Sequence, residues 1–261
     1  MSFDLMAFDK SSAPGFYGDL MEWTTEQTKW DEDRDYNALA GTSPRLAAWF
    51  MEVKETFPPL NGEYSPSDDE AFASEEPERR LTDYSIGSSV IFAAIGWSAA
   101  KESEQLMARL AQEHDVGLYN FQTGEVICDS MVFCKMRTER HDDKFVEWKQ
   151  IESEISTLDA PSRGKSQRDA AFITIFFTQN GTDDEFMQCI PKYPKQQGFF
   201  KKTFGASGTA QVAEYTVEVC TNGKIYEKLV KDKEHVSALL LDYYKTRKAP
   251  DISGWTDTEI L

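Results

Sequence analysis

The residues of this chain that could do chemistry are carboxylate clusters, two glycine-flanked turns and three histidines. Asp31, Asp33 and Asp35 hold the x, x+2, x+4 spacing that opens a calcium-binding loop. Such a loop needs glycine at its sixth position and a bidentate glutamate at its twelfth. Tyr36 and Thr42 stand there instead, so the run reads as a solvated acidic turn. Gly164-Lys165-Ser166 resembles the end of a phosphate-binding loop, but Asp159 occupies the first glycine's position and no apolar strand leads into it. Gly205-Ala206-Ser207-Gly208 lacks both the spacing and the strand–turn–helix setting of a nucleophile elbow. None of His114, His141 and His235 has a second His or Cys at metal-ligand spacing. His114 falls near a predicted helix C-terminus, where a cationic ring suits the helix dipole. Adjacent carboxylates such as Asp68-Asp69, Glu75-Glu76 and Asp142-Asp143 sit in polar runs and stay ionised. An acid–base pair needs a cleft that drives two pKa values apart. The sequence therefore carries no catalytic constellation and calls for no metal or cofactor.

What the carboxylates do supply is a field. Residues 1–125 hold 24 Asp and Glu against 9 Lys and Arg, whereas residues 126–261 hold 21 against 19. A strongly acidic half joined to a near-neutral half suggests two units, one of which repels anions and attracts basic surfaces. Phosphate backbones and anionic membranes are poor partners for such a surface. A basic protein is its natural complement. The hydrophobic fraction of 40% and aromatic fraction of 13% furnish a core despite the charge. The N-terminus lacks a basic region followed by a long apolar run, and no segment is apolar for long enough to span a bilayer. Cys128, Cys134, Cys189 and Cys220 show no CxxC spacing and read as reduced thiols. Together these features predict a cytoplasmic protein.

Local pattern supplies the elements that must carry these groups. Residues 2–8 alternate loosely as a first strand, and a helix is predicted over 14–30. Ser43 at the N-cap and Pro44 at the first helical position open a helix through Leu46, Trp49, Phe50, Val53 and Phe57. Pro58-Pro59 ends it. Residues 61–80 read as a long acidic loop. The stretch 84–97 reads as a strand pair, followed by a helix buried through Leu106, Met107 and Leu110, and by short strands over 116–121 and 126–128. Phe145, Trp148, Ile151 and Ile155 form one stripe of a helix predicted over 140–159. Residues 161–169 have linker composition. The rest reads as a strand at 171–178, partly helical regions at 183–189 and 196–204, and a hairpin turning on Asn222-Gly223. A helix from Asp232 and a strand at 255–260 complete it. Trp49, Trp97 and Trp148 lie on apolar faces and are expected to be buried.

Each half thus runs strand, helix, strand, strand, helix, strand. The fold class is α+β, with two sheet-and-helix layers, each compatible with a ferredoxin-like βαββαβ order. The expected division is an acidic α+β domain over 1–130, a helical connector and linker over 131–168, and a second α+β domain over 169–261.

Phe57-Pro58-Pro59-Leu60-Asn61-Gly62 and Tyr84-Ser85-Ile86-Gly87, with the segments around them, resemble a widespread group of bacterial proteins of unassigned function. The C-terminal part, marked by Lys248-Ala249-Pro250-Asp251 and then Trp255, resembles small bacterial immunity proteins that accompany toxin genes. Neither resemblance implies a site residue. The second implies a partner, a toxin domain.

The leading expectation is a non-catalytic binding protein that neutralises a basic toxin domain through its acidic face. Asp31, Glu32, Asp33 and Asp35, with Asp68, Asp69, Glu70, Glu75 and Glu76, would pair with the partner's Lys and Arg. Trp30 or Tyr64 would serve as the aromatic anchor. The alternative is an enzyme or small-ligand binder with a pocket between the halves, using Tyr84, Ser85, His114 and Tyr119.

Overall fold

A computed structural model describes residues 2–160, 171–178, 185–193, 212 and 214–258. The chain divides into two units, Met1–Met131 and Val132–Leu261.

The first unit runs β1 (Phe3–Phe8), α1 (Tyr17–Gln27), α2 (Pro44–Val53), α3 (Asp68–Ala71), α4 (Glu75–Arg80), β2 (Asp83–Ile86) and β3 (Val90–Ile95). A 3-10 turn at Trp97–Ala99, then α5 (Ala100–Glu113), β4 (Gly117–Asn120) and β5 (Val126–Ile127) follow. Its antiparallel sheet has the order β2-β3-β1-β4-β5, so the first strand in sequence is central. Strand alternation sends Phe3, Leu5 and Ala7 into one core with Ile91, Ala93 and Ile95. The helical spacing of Leu46, Trp49, Phe50 and Val53 presents α2 to that same core, where Met107, Leu110 and Ala111 of α5 join it. Met6 and Phe8 point to the opposite face, where α1 closes over them with Leu20 buried and Trp23 edge-on to Phe8 at 6.1 Å.

The second unit runs β6 (Phe133–Thr138), β7 (Asp142–Asp143), α6 (Trp148–Thr157), β8 (Ile173–Thr178), β9 (Phe186–Lys192), β10 (Glu214–Thr221), β11 (Lys224–Val230), α7 (Lys233–Thr246) and β12 (Thr256–Thr258). Its seven strands are antiparallel in the order β12-β11-β10-β9-β8-β6-β7. Tyr215, Val217 and Val219 of β10 are buried, and Phe177 of β8 packs on Tyr243 of α7 at 5.2 Å. Asn222 and Gly223 join β10 to β11 with φ of 51° and 72°, a two-residue turn between the paired Thr221 and Lys224. Two positive φ values are what such a hairpin needs.

Several expectations are corrected. The α+β class and the two layers stand, but in the second unit β8 to β12 follow one another as neighbours and β7 lies at the edge beyond β6, an order that is not that of a βαββαβ layer. Residues 133–157 are no connector: β6 pairs with β8 inside that unit's sheet, and α6 packs against α7. The helix read from residue 140 begins only at Trp148, because residues 142–143 pair with β6 and Phe145 turns at φ 55°. Residues 186–189, read as partly helical, lie in β9. The acidic loop 61–80 contains α3 and α4. Residues 161–169 and 196–204 lie outside the described residues.

The second sheet also carries a polar row. Thr174, Gln188, Glu218 and Glu227 are successive cross-strand partners on β8 to β11. The Thr174 hydroxyl donates to Gln188 Oε1 at 2.5 Å, and Gln188 Nε2 donates to Glu218 Oε2 at 2.9 Å. Burial pushes the Glu218 carboxyl above its ordinary value of 4.5, against the lowering bond from Gln188, and the Glu227 charge adds to the rise. A raised carboxyl disfavours the folded state once both states are ionised, so this penalty is absent at low pH and grows as pH rises past 4.5. Glu218→Gln should therefore stabilise the second unit at pH 7 by about 0.5 kcal/mol, the scale of one cross-strand pair. Urea unfolding at pH 7 and at acid pH checks this: an equal effect at both would sink the assignment.

Candidate interaction surface

The predicted acidic residues separate into structural and surface groups. Glu32 works inside the fold. Its carboxylate accepts the Ser88 N–H at 3.1 and 3.0 Å, pinning the β2–β3 turn, and pairs with Arg34 at 3.4 Å. Arg34 in turn donates to the carbonyls of Ala38 and Ala40 and to the Thr42 hydroxyl, which fixes the 32–42 loop. Asp31, Asp33 and Asp35 are exposed along that loop, and Asp35 accepts the Asn37 N–H at 2.9 Å.

The second group lies on α3 and α4. Ser67 and Glu70 cap α3 reciprocally, the Ser67 N–H and hydroxyl both donating to Glu70 Oε2 at 3.0 and 2.6 Å. Those bonds hold the Glu70 carboxyl below its ordinary range. Asp68, Asp69, Glu75, Glu76 and Glu78 are exposed. All five, like Glu70, stand in the first turns of the two helices, where the dipole favours carboxylates. Arg79 and Arg80 at the end of α4 pair with Glu102 of α5 at 2.8 and 2.7 Å and with Glu76 at 3.0 and 3.6 Å, so two cations are shared between two carboxylates and Asp68, Asp69, Glu75 and Glu78 remain the surface charge.

Neither predicted anchor is available as read. Trp30 has φ 55° and packs edge-on against Tyr36 and Phe92 at 5.4 and 5.9 Å, closing the acidic loop onto the sheet. Tyr64 packs on Phe50, with Lys54 over its ring at 5.2 Å. Among the described residues of the first unit the exposed aromatics are instead Phe72, 58% exposed between α3 and α4, and Trp97, 53% exposed. Trp97 was expected in the core. Gly96 turns the chain out of β3 before it, and its ring touches Phe3 edge-on at 5.7 Å. No sequence pattern marked Phe72, a lone aromatic between Ala71 and Ala73 in an otherwise acidic run.

The pocket alternative fares differently. Tyr84 points into the helix-covered core, where burial pushes its hydroxyl far above the usual range and it donates to the Phe57 carbonyl at 2.9 Å. Tyr119 pairs with Met6 on the opposite sheet face and donates to Met21 Sδ at 2.8 Å. His114 caps α5 beside Glu52, with Nε2 3.0 Å from Oε1. Ser85 shares the face of Phe92, away from Tyr84. These four side chains do not converge. A cleft of about 520 Å³ does exist beside Val116, Ile127 and Cys128, but the Lys10 ammonium within it is held by Asp115 and Asp129 at 2.8 Å each. The hydrogen bond from Lys10, and then its charge, keep both carboxyls below their ordinary range. That arrangement ties loops together, with the Lys10 ammonium shared between the two carboxylates.

Among the described residues no helix is long and apolar enough to cross a membrane, and no disulfide forms. Compared with protein-family models, curated proteins and solved structures, the chain matches none.

Proposed function

We propose that this chain is a non-catalytic cytoplasmic binding protein whose acidic first unit engages a basic protein partner. A toxin domain neutralised in the manner of an immunity protein is the instance that the C-terminal resemblance implies. The observation that carries the reading is the exposed carboxylate ridge of α3 and α4: Arg79 and Arg80 pair with Glu76 and with Glu102, while Asp68, Asp69, Glu75 and Glu78 pair with no cation among the described residues. A field of one sign steers oppositely charged proteins and raises their association rate. Catalysis finds no support in side chains that fail to meet.

The test is capture of the partner by the tagged chain and by a variant carrying Asp68→Asn, Asp69→Asn, Glu75→Gln and Glu76→Gln. A basic protein retained at about 50 mM salt should be shed by about 500 mM, and its association with the variant should slow at least tenfold, roughly the lower end of electrostatic steering. A partner bound equally by both chains, or one that is itself acidic, sinks the proposal.

A further inference from the structure

Charge alone does not explain why α4 is ringed by apolar side chains. Phe72 stands three residues before it and is 58% exposed. At its other end the chain returns close by: a Cβ on Gly96 would lie 3.7 Å from the Arg79 carbonyl, which places Trp97, 53% exposed, beside the last turn of α4. Leu60, 46% exposed, donates its N–H to the carbonyl of Thr82, two residues past the helix. The helix between them rises about 9 Å over its six residues and carries Glu75, Glu76 and Glu78 outward. Single exposed apolar residues are ordinary, but three around one acidic helix make a mixed patch.

From this juxtaposition we infer that α4 and its rim form the docking site for a basic amphipathic segment of a partner protein. Lys and Arg of that segment meet Glu75 and Glu78, Glu76 being already paired with Arg79 and Arg80, and its apolar side chains cover Phe72, Trp97 and Leu60. Charge complementarity selects this occupant: a second copy of the same acidic unit would be repelled, and an uncharged apolar peptide would leave the carboxylates desolvated without partners. The inference rests on the acidic-surface proposal above and adds the chemistry of the bound segment.

Two synthetic peptides of equal charge test it, one built of Lys and Leu to form an amphipathic helix, the other with each Leu replaced by Ser. The full chain should bind the Lys/Leu peptide at least about tenfold more tightly, the effect of burying one large side chain. The double variant Phe72→Ala, Trp97→Ala should remove that advantage and leave Lys/Ser binding unchanged. Glu75→Gln, Glu76→Gln, Glu78→Gln should weaken both peptides. All substitutions are at exposed positions, and circular dichroism verifies the fold. Equal affinity for the two peptides, or an advantage that survives the double variant, overturns the apolar docking site while leaving the acidic reading in place. Failure of both peptides to bind overturns both.

Discussion

Gly117→Ala should destabilise the first unit by about 3 kcal/mol, the upper end of what overpacking a core normally costs. Gly117 faces Phe8 across the β1–β4 pair, and the phenyl ring lies over it. A Cβ there would sit 2.1, 2.2 and 2.6 Å from three ring carbons, far inside contact distance. The ring has nowhere to go: Phe8 is fully buried and Trp23 packs edge-on against it. The remedy identifies the cause. Phe8→Leu in the Gly117→Ala background should recover part of the loss, although the same change in the native chain is itself destabilising. Urea unfolding of the four chains forms a double-mutant cycle. An alanine variant within about 0.5 kcal/mol of the native chain, the range of a neutral surface change, refutes the account.

Trp49→Ala should cost still more, about 3–5 kcal/mol, as expected for truncating a fully buried aromatic. Trp49 is 0% exposed in the core between α2 and α5, and its Nε1 donates to the Met107 carbonyl at 3.3 Å. Trp49→Phe keeps much of the volume and loses the bond, so it should lose less. Because Trp49 belongs to the first unit's core, hydrogen exchange should accelerate in β1 and β3 before it does in β9 and β10. Uniform acceleration across both units would show that they unfold together.

How much of this was legible depended on whether burial left a period in the sequence. Ser43-Pro44 announced α2, and its apolar residues sit at helical spacing. Ser43 nevertheless caps nothing, because its hydroxyl donates to the Asp9 carboxylate. Asn222-Gly223 announced the hairpin through local backbone chemistry alone. β9 was hidden because its buried residues, Met187, Cys189 and Pro191, alternate with Phe186 and Ile190, so both faces look apolar, and its proline argues against a strand. β6 was hidden by Lys135 and Arg137, which made a strand look like a charged connector. In the candidate surface, composition located the carboxylates but could not tell Glu32, which holds a turn, from Asp68 and Asp69, which face water. The anchors were misassigned because Trp30 and Trp97 exchange the roles that their neighbours suggest. One is folded back by a left-handed backbone, and the other is carried outward after Gly96.

The central position of β1 bears on how the chain is made. Its hydrogen-bonding neighbours are β3 and β4, and the latter ends at Asn120. At roughly 5–20 residues per second, synthesis leaves β1 without its second neighbour for several seconds. During that interval the mostly apolar segment Phe3–Phe8 keeps at least one edge open, and both until β3 is made, the form most prone to pair with another chain. Nascent chains should therefore depend on a holding chaperone until β4 leaves the ribosome, and a crowd of ribosomes on one message would raise the risk of entanglement between neighbouring products.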